Sequence, residues 1–315
     1  MNVHKIVIPT PYAVGDVNAF LVKGDALTLF DAGPKTDEAL EAIKFGIKEA
    51  GYKMSDIDQV VLTHHHPDHA GWVDAFPTKE ILGHSYVDNW LKQEKPFVDY
   101  RLDFYKHHLH VQAVPEPYFS YILEVRSELE MIGRTPLTKT ISHGEEVPGH
   151  KDLIAYYTPG HAQSHLIFHN QLTNEVIGGD LLLDKISSNP LVEPPTDLSF
   201  ERPLSLLQYN ESLKFIRDLN PKTVYTGHGE NVINASQLVE ERLARQQNRA
   251  MKVLEMIQTP KTIFEVTMEL FPKVYAKEPG LTLSETLGQL DYLVDQKQAT
   301  IEIRDGILFY KKVVL

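Results

Sequence analysis

Between Leu62 and Trp72 the chain reads LTHHHPDHAGW, which places His64, His65, His66, Asp68 and His69 within one short loop. The chain has no cysteine, so any metal ion held here must take nitrogen and oxygen ligands. His64 and His66 are two positions apart and share a side on an extended strand end, after which Pro67 redirects the chain and brings Asp68 and His69 forward. One loop of this kind can serve two neighbouring ions. Three more candidate ligands stand beside glycines where apolar runs end: His161 in YYTPGH, Asp180 in VIGGD and His228 in VYTGHG. The chemistry such a set can perform is hydrolysis, with metal ions acidifying water and stabilising the negative charge that develops on a carbonyl or phosphoryl oxygen.

The elements that must deliver these residues are legible as alternating and continuous apolar runs. KIVIPT, VNAFLVKG and ALTLFDAG read as strands in hairpin connection, with a turn at Gly24-Asp25. Thr36 to Glu49 has the three- and four-residue apolar spacing of a helix, stopped by Gly51. QVVLT then delivers the histidine loop, EILGH follows, and a mostly helical stretch runs from Ser85 to about Gly133. IAYYTPGH, HLIFHN and EVIGGDLLL resume the strands, and a helix in LLQYNESLKFIRDLN precedes the strand TVYTGHG. Two rounds of strands and helices suggest two packed sheets with helices outside.

Beyond Ser236 the pattern changes to three helices, in SQLVEERLARQQNRAMKVLEMIQ, TIFEVTMELFP and LSETLGQLDYLVDQKQ, and then two strands joined at Asp305-Gly306. That order is the pattern of a winged helix. The expected organisation is a domain over 1–235, with a helical insertion at about 85–135, and a winged-helix-like domain over 236–315.

With 315 residues and 42% hydrophobic content the chain can bury a large core. Its net charge of −12 argues against broad capture of nucleic acid, which needs clustered Lys and Arg. From Glu240 onward there are 11 Lys+Arg and 11 Asp+Glu, so the negative charge resides in the earlier part. No signal-peptide pattern opens the chain and no apolar run is long enough to span a bilayer, giving the expectation of a cytoplasmic protein without membrane contact.

H-x-H-x-D-H followed in order by Gly-His, Gly-Asp and Gly-His-Gly resembles the signature of the metallo-β-lactamase-fold hydrolases, and THHHPDHAG is especially similar to glyoxalase II. The resemblance covers roughly residues 1–235 and implies an α/β, four-layer αββα sandwich with two metal ions at one edge. A subgroup of these proteins is similar in combining a helical insertion with a C-terminal winged helix. By the resemblance His64, His66 and His161 bind one ion, Asp68, His69 and His228 the other, and Asp180 bridges them; a metal-bridging hydroxide is the nucleophile, and Asp68 is one group able to protonate the leaving group. Two zinc ions are expected, because His66 stands where diiron relatives place a glutamate, although such ligands also accept manganese or iron. His65 alternates away from its neighbours and is read as a supporting residue. Asp31, in LFDAGP, resembles the family's strand-end aspartate that orients the metal loop. His165 faces either the pocket or the sheet edge.

The expected reaction is hydrolysis of a carbonyl compound, a small-molecule thioester, ester or lactone. The insertion places Tyr100, Phe104, Tyr105, His107 and His108, then Tyr118, Phe119 and Tyr121, either over the active site or against the sandwich. Lack of a cysteine ligand argues against antibiotic hydrolysis, the winged-helix tail against a glutathione substrate, and the lack of a tyrosine soon after Asp180 against homoserine lactones. The alternatives are a metal-dependent endoribonuclease or phosphodiesterase and a DNA-binding regulator. The third tail helix carries one lysine and no arginine, poor material for phosphate contacts. The tail is therefore expected to pack or to form a homodimer.

Overall fold

Alternation along the strands decides the layers of the molecule. In β2 (Val17–Lys23), Phe20 and Val22 turn toward one core while Ala19 and Leu21 turn toward another. The computed structural model describes residues 1–76, 79–119, 129–199 and 201–314. Six strands form the first sheet in chain order: β1 (Val3–Ile8), β2, β3 (Leu27–Phe30), β4 (Gln59–Val61), β5 (Glu80–Gly83) and β6 (Lys139–Thr140). The first three pair antiparallel, and β3 to β6 pair parallel. The second sheet comprises β7 (Leu153–Tyr157), β8 (Leu166–Asn170), β9 (Glu175–Gly179) and β10 (Thr223–Thr226), with β9 and β10 parallel.

Phe20, Phe30, Val61 and Leu82 of the first sheet meet Leu153, Leu166, Phe168 and Ile177 of the second in the inter-sheet core. On the outer face of the first sheet, Leu21, Leu29 and Val60 pack on Ala39, Ile43 and Ile47 of α1 (Asp37–Glu49). Thr36 caps that helix by accepting from the Ala39 amide, and Asp37 and Glu38 complement its N-terminal dipole. On the outer face of the second sheet, Ile167, Val176 and Val224 pack on Leu206, Tyr209, Leu213 and Ile216 of α5 (Ser205–Leu219). These faces make four layers, helix, sheet, sheet and helix.

Between β4 and α5 lie α2 (Pro67–Ala70), α3 (Val87–Lys92) and α4 (Lys95–Val111). The tail contributes α6 (Ala235–Met256), α7 (Ile263–Leu270), α8 (Pro279–Asp295) and the hairpin β11 (Ala299–Arg304) and β12 (Ile307–Lys312), turned at Asp305-Gly306 with both residues at positive φ. The helix α8 begins four residues before the apolar run that marks it in the sequence, because Pro279 pre-sets the first helical turn. The helix α6 spans two cores. Ala235 and Val239 pack with α5, whereas Ala250, Val253 and Leu254 join Ile263, Phe264, Leu287 and Leu290 in a core of the tail.

The insertion divides its aromatic residues. Tyr118 meets Phe264 and Tyr275 of the tail, Phe104 is buried beside His108, and Tyr105 reaches the cavity described below. Tyr121 lies outside the described residues. Among the described residues no helix is long and apolar enough to cross a membrane.

Candidate metal centre

The C-terminal ends of β3, β4, β7, β9 and β10 meet at one edge of the two sheets. The Leu166 amide donates to the Thr63 carbonyl across the sheets, and the Gly227 amide donates to the Gly179 carbonyl. Asp31 follows β3, His64 to His69 follow β4, His161 follows β7, Asp180 follows β9 and His228 follows β10. Continuous apolar runs are needed there because both faces of each sheet are covered. Gly227 is obligatory for steric reasons: a Cβ on it would stand 2.1 Å from Asp180 Oδ1 and 2.8 Å from His69 Cε1.

All seven predicted ligands come together. The donor atoms of His64, His66 and His161 lie within 4.8 Å of one another, as do those of Asp68, His69 and His228. Asp180 stands between the groups: its Oδ1 is 3.4 Å from His69 Nε2, and its Oδ2 is 3.4 Å from His228 Nε2 and 3.6 Å from His161 Nε2. His228 Nε2 lies 3.2 Å from Asp68 Oδ2, and His64 Nε2 lies 3.1 Å from His66 Nδ1.

Each of the five imidazoles turns one nitrogen into this cluster and anchors the other outside it. His64 Nδ1 is 2.9 Å from Thr63 Oγ1, His66 Nε2 is 3.1 Å from Glu193 Oε1, and His69 Nδ1 is 2.8 Å from Asp31 Oδ2. His161 Nδ1 reaches Ser188 Oγ at 2.8 Å and the Asn189 carbonyl at 3.0 Å, and His228 Nδ1 donates to the Asp16 carbonyl at 2.8 Å. An acceptor at the outer nitrogen places the proton there and leaves a lone pair at the inner one, which is the state a metal ligand requires. His69 Nε2, His161 Nε2 and Asp180 Oδ1 are buried without a hydrogen-bond partner. Buried polar atoms left this way carry a desolvation cost unless a further group binds them, so the donor set fits divalent ions.

The charges agree with that fit. Burial depresses the His64 and His161 imidazoles, reinforced by neighbouring rings, and His161 falls to about 4. Burial opposes charge on His69 and His228 as well, but Asp180 first and Asp68 next outweigh it, holding His69 well above its ordinary value and His228 up to about 10. In turn His228 and His69 keep the Asp180 carboxyl well below the usual carboxylate range against its burial. The two buried carboxylates draw positive charge into their midst, and divalent ions supply it as protons do.

The residues around the cluster take the roles their contacts allow. Asp31, held at positive φ, accepts from the Thr63 amide and hydroxyl and from His69, so it fixes the histidine loop at three points. His65 is turned away from the seven: Nδ1 lies 2.7 Å from Ser164 Oγ, Nε2 lies 3.2 Å from Glu193 Oε1, and the ring stacks on Trp90 at 4.0 Å. His165 faces the sheet edge. Its Nε2 accepts from the Asp180 amide at 3.1 Å and its Nδ1 lies 2.9 Å from Thr158 Oγ1, so it positions the backbone of Asp180.

Glu193 is a residue of this site that sequence reasoning missed. It sits between Val192 and two prolines in an irregular segment, and its apolar neighbours are the one hint that the acid is buried. Its Oε1 faces His65 and His66, while Oε2 accepts from the Gln163 amide at 2.8 Å. His65 and His66 hold its carboxyl well below the usual range despite burial.

The cluster opens into a cavity of about 560 Å³. His66, Asp68, His161, Asp180 and His228 form one wall, and Trp90, Arg101, Tyr105 and Leu281 contribute to the rest.

Comparison with known proteins places this geometry in a family. Residues 12–228 match the model described as the metallo-beta-lactamase superfamily. Over 312 residues the chain is 39% identical to the probable metallo-hydrolase YqjP of Bacillus subtilis (strain 168), a match covering 98% of each. A metallo-beta-lactamase family protein from Thermus thermophilus superposes with a TM-score of 0.81 at 25% identity, covering 99% of this chain and 98% of that one. A shorter match of 104 residues, 31% identical and covering 33% of this chain and 29% of the relative, is to an atrochrysone carboxyl ACP thioesterase of Aspergillus fumigatus. With the His/Asp clusters at its sheet edge and a family match across most of its length, the chain belongs to the metallo-beta-lactamase superfamily and is a metallo-hydrolase.

Proposed function

We propose that this protein is a binuclear zinc hydrolase acting on the carbonyl of a small-molecule thioester, ester or lactone. The observation that carries the reading is the division of imidazole nitrogens, five outer ones tied to the protein and five inner ones turned into the cluster that contains Asp180. In this reading His64, His66 and His161 would hold one ion and Asp68, His69 and His228 the other, with Asp180 facing both groups. The imidazole-rich donor set suits zinc. Divalent ions held there supply Lewis acidity to the carbonyl and to the attacking water.

The chain's own residues do the rest. Asp180 is kept in place from behind by His165, and Asp31 and Glu193 keep the rings of His69 and His66 from rotating. Asp68 lines the cavity with an ionised carboxyl, so it is a group able to take up the proton that the attacking water releases and to pass it to the leaving group. The other walls include Val14, Ile132, Leu183 and Leu191, and the volume suits a small acyl compound. The thioesterase similarity over 104 residues adds weight to the thioester.

The glyoxalase II-like loop motif belongs to this reading, and so does a winged-helix tail that packs without reading DNA. The helix that would enter a groove, α8, buries Leu283, Leu287, Leu290 and Leu293 and carries Asp291 into a pair with Arg202.

Metal analysis of purified protein should give two zinc equivalents, and chelation should abolish hydrolysis of a thioester, ester and lactone panel. Cleavage of single-stranded RNA with no turnover of that panel would replace the acyl reading by phosphodiester hydrolysis. A salt-sensitive mobility shift of duplex DNA by the full chain would restore the regulator.

A further inference from the structure

Arg101 on α4 is a buried cation with no counter-ion among the described residues. It is 4% exposed, its Nε has no hydrogen-bond partner, and among the described residues no carboxylate forms an ion pair with it. Its guanidinium lies against the Trp90 ring at 4.5 Å and near the Tyr105 ring at 5.8 Å. Aromatic contacts of this kind occupy the face of a guanidinium and leave its in-plane N–H groups free. The nearby acid, Glu193, is already taken by His65, His66 and the Gln163 amide. A desolvated charge in this position is costly unless something pairs with it.

What could pair with it is set by the cavity. Arg101 lines the same cavity as His66, Asp68, His161, Asp180 and His228, and it is the one Lys or Arg among the described lining residues. Through Trp90, which also stacks on His65, it is braced against the histidine loop itself. A single fork of N–H donors with one positive charge matches a carboxylate, with one negative charge and two coplanar oxygens. A phosphate monoester would bring nearly two charges to a wall that offers one.

We propose that Arg101 binds a carboxylate carried by the substrate at a distance from the scissile carbonyl, so that the enzyme selects anionic acyl compounds over neutral ones of the same size. This rests on the acyl-hydrolase reading above and names the substrate class within it. Arg101 is a specificity residue, and it acts by charge and by geometry together.

The test compares two thioesters of N-acetylcysteamine, glutaryl and pentanoyl, which differ in a terminal carboxylate. The zinc-loaded wild type should favour the glutaryl compound in kcat/KM by roughly 10- to 100-fold, the range expected for hydrogen bonds to a charged group. Arg101→Gln should bring that ratio close to one, and Arg101→Lys, which keeps the charge and loses the fork, should fall between. A wild-type ratio near one, or an unchanged ratio in a folded R101Q protein, would overturn the proposal. Calorimetric titration of the zinc-loaded proteins with glutarate, glutaramide and inorganic phosphate separates this proposal from the reading beneath it. Glutarate binding weakened by R101Q with neither thioester cleaved upholds the carboxylate site and removes the acyl-hydrolase reading. Turnover of both thioesters alike does the reverse. Phosphate bound more tightly than glutarate, and lost in R101Q, would overturn the carboxylate assignment.

Discussion

The two walls of the cavity are built by different physics. On the metal side every ring and carboxylate is held by short polar contacts: Asp31 grips Thr63 and His69, Glu193 grips His66, and Ser188 and Asn189 hold His161. On the other side Trp90 and Arg101 are placed by ring contacts, Tyr105 by ring contacts and by a hydrogen bond from its hydroxyl to the Val192 carbonyl, and Leu281 is contributed by α8 of the tail. Hydrogen bonds fix direction, and direction is what a metal ligand needs. Apolar contact fixes shape and tolerates repacking, and shape is what a substrate pocket needs. On the proposed function the metal side would set the reaction and the other side what is admitted to it.

That division can be broken by substitution, and the largest effect should come from the metal side. Asp180→Ala removes the carboxylate that faces both ligand groups, so it should lower metal content and cut kcat/KM by more than the roughly 10–100-fold expected for an outer partner. Metal analysis beside kinetics checks it, and full activity with two ions retained would defeat the role given to Asp180. Asp31→Asn and Glu193→Gln keep the shape of the outer partners and remove their charge. Each should weaken metal affinity by roughly 10–100-fold, read by competition with a chromogenic chelator. Asn tolerates the positive φ at position 31, so a loss there reports on charge.

Arg202→Ala probes the joint between the tail and the rest of the chain. Arg202 meets Asp291 of α8 through two hydrogen bonds of 2.6 and 2.5 Å, and burial already presses the Asp291 carboxyl above its usual range. Left alone, that carboxyl should cost about 3 kcal/mol in denaturant unfolding, with metal content unchanged. Leu281→Ala should have the smallest effect, a several-fold change in KM for a bulky acyl substrate with the same metal stoichiometry. A loss of metal in Leu281→Ala would show that the two walls are not separable.

The sandwich was legible because burial on both faces of a sheet leaves continuous apolar runs, as in Val60-Val61-Leu62 and Leu166-Ile167-Phe168, and a capped helix such as α1 announces its own start at Thr36. The candidate ligand set was legible for a similar reason, since strand ends beside glycine mark where side chains can converge. The bounds of α8 and the passage of α6 through two cores were not, because a proline at a first turn and the partner of each helix face depend on what packs there.

The sequence by itself determined which residues could bind metal, for His64, His66, Asp68 and His69 are neighbours along one strand end and His161, Asp180 and His228 each close a strand. Only the tertiary structure decided what orients and confronts them. Glu193 meets His66 across 127 residues of chain, the Asp16 carbonyl meets His228 across 212, and Arg101 enters the cavity from an inserted helix. Spacing and periodicity carry information over a few residues, whereas these contacts exist because folded layers bring distant segments together, and no local pattern encodes that distance.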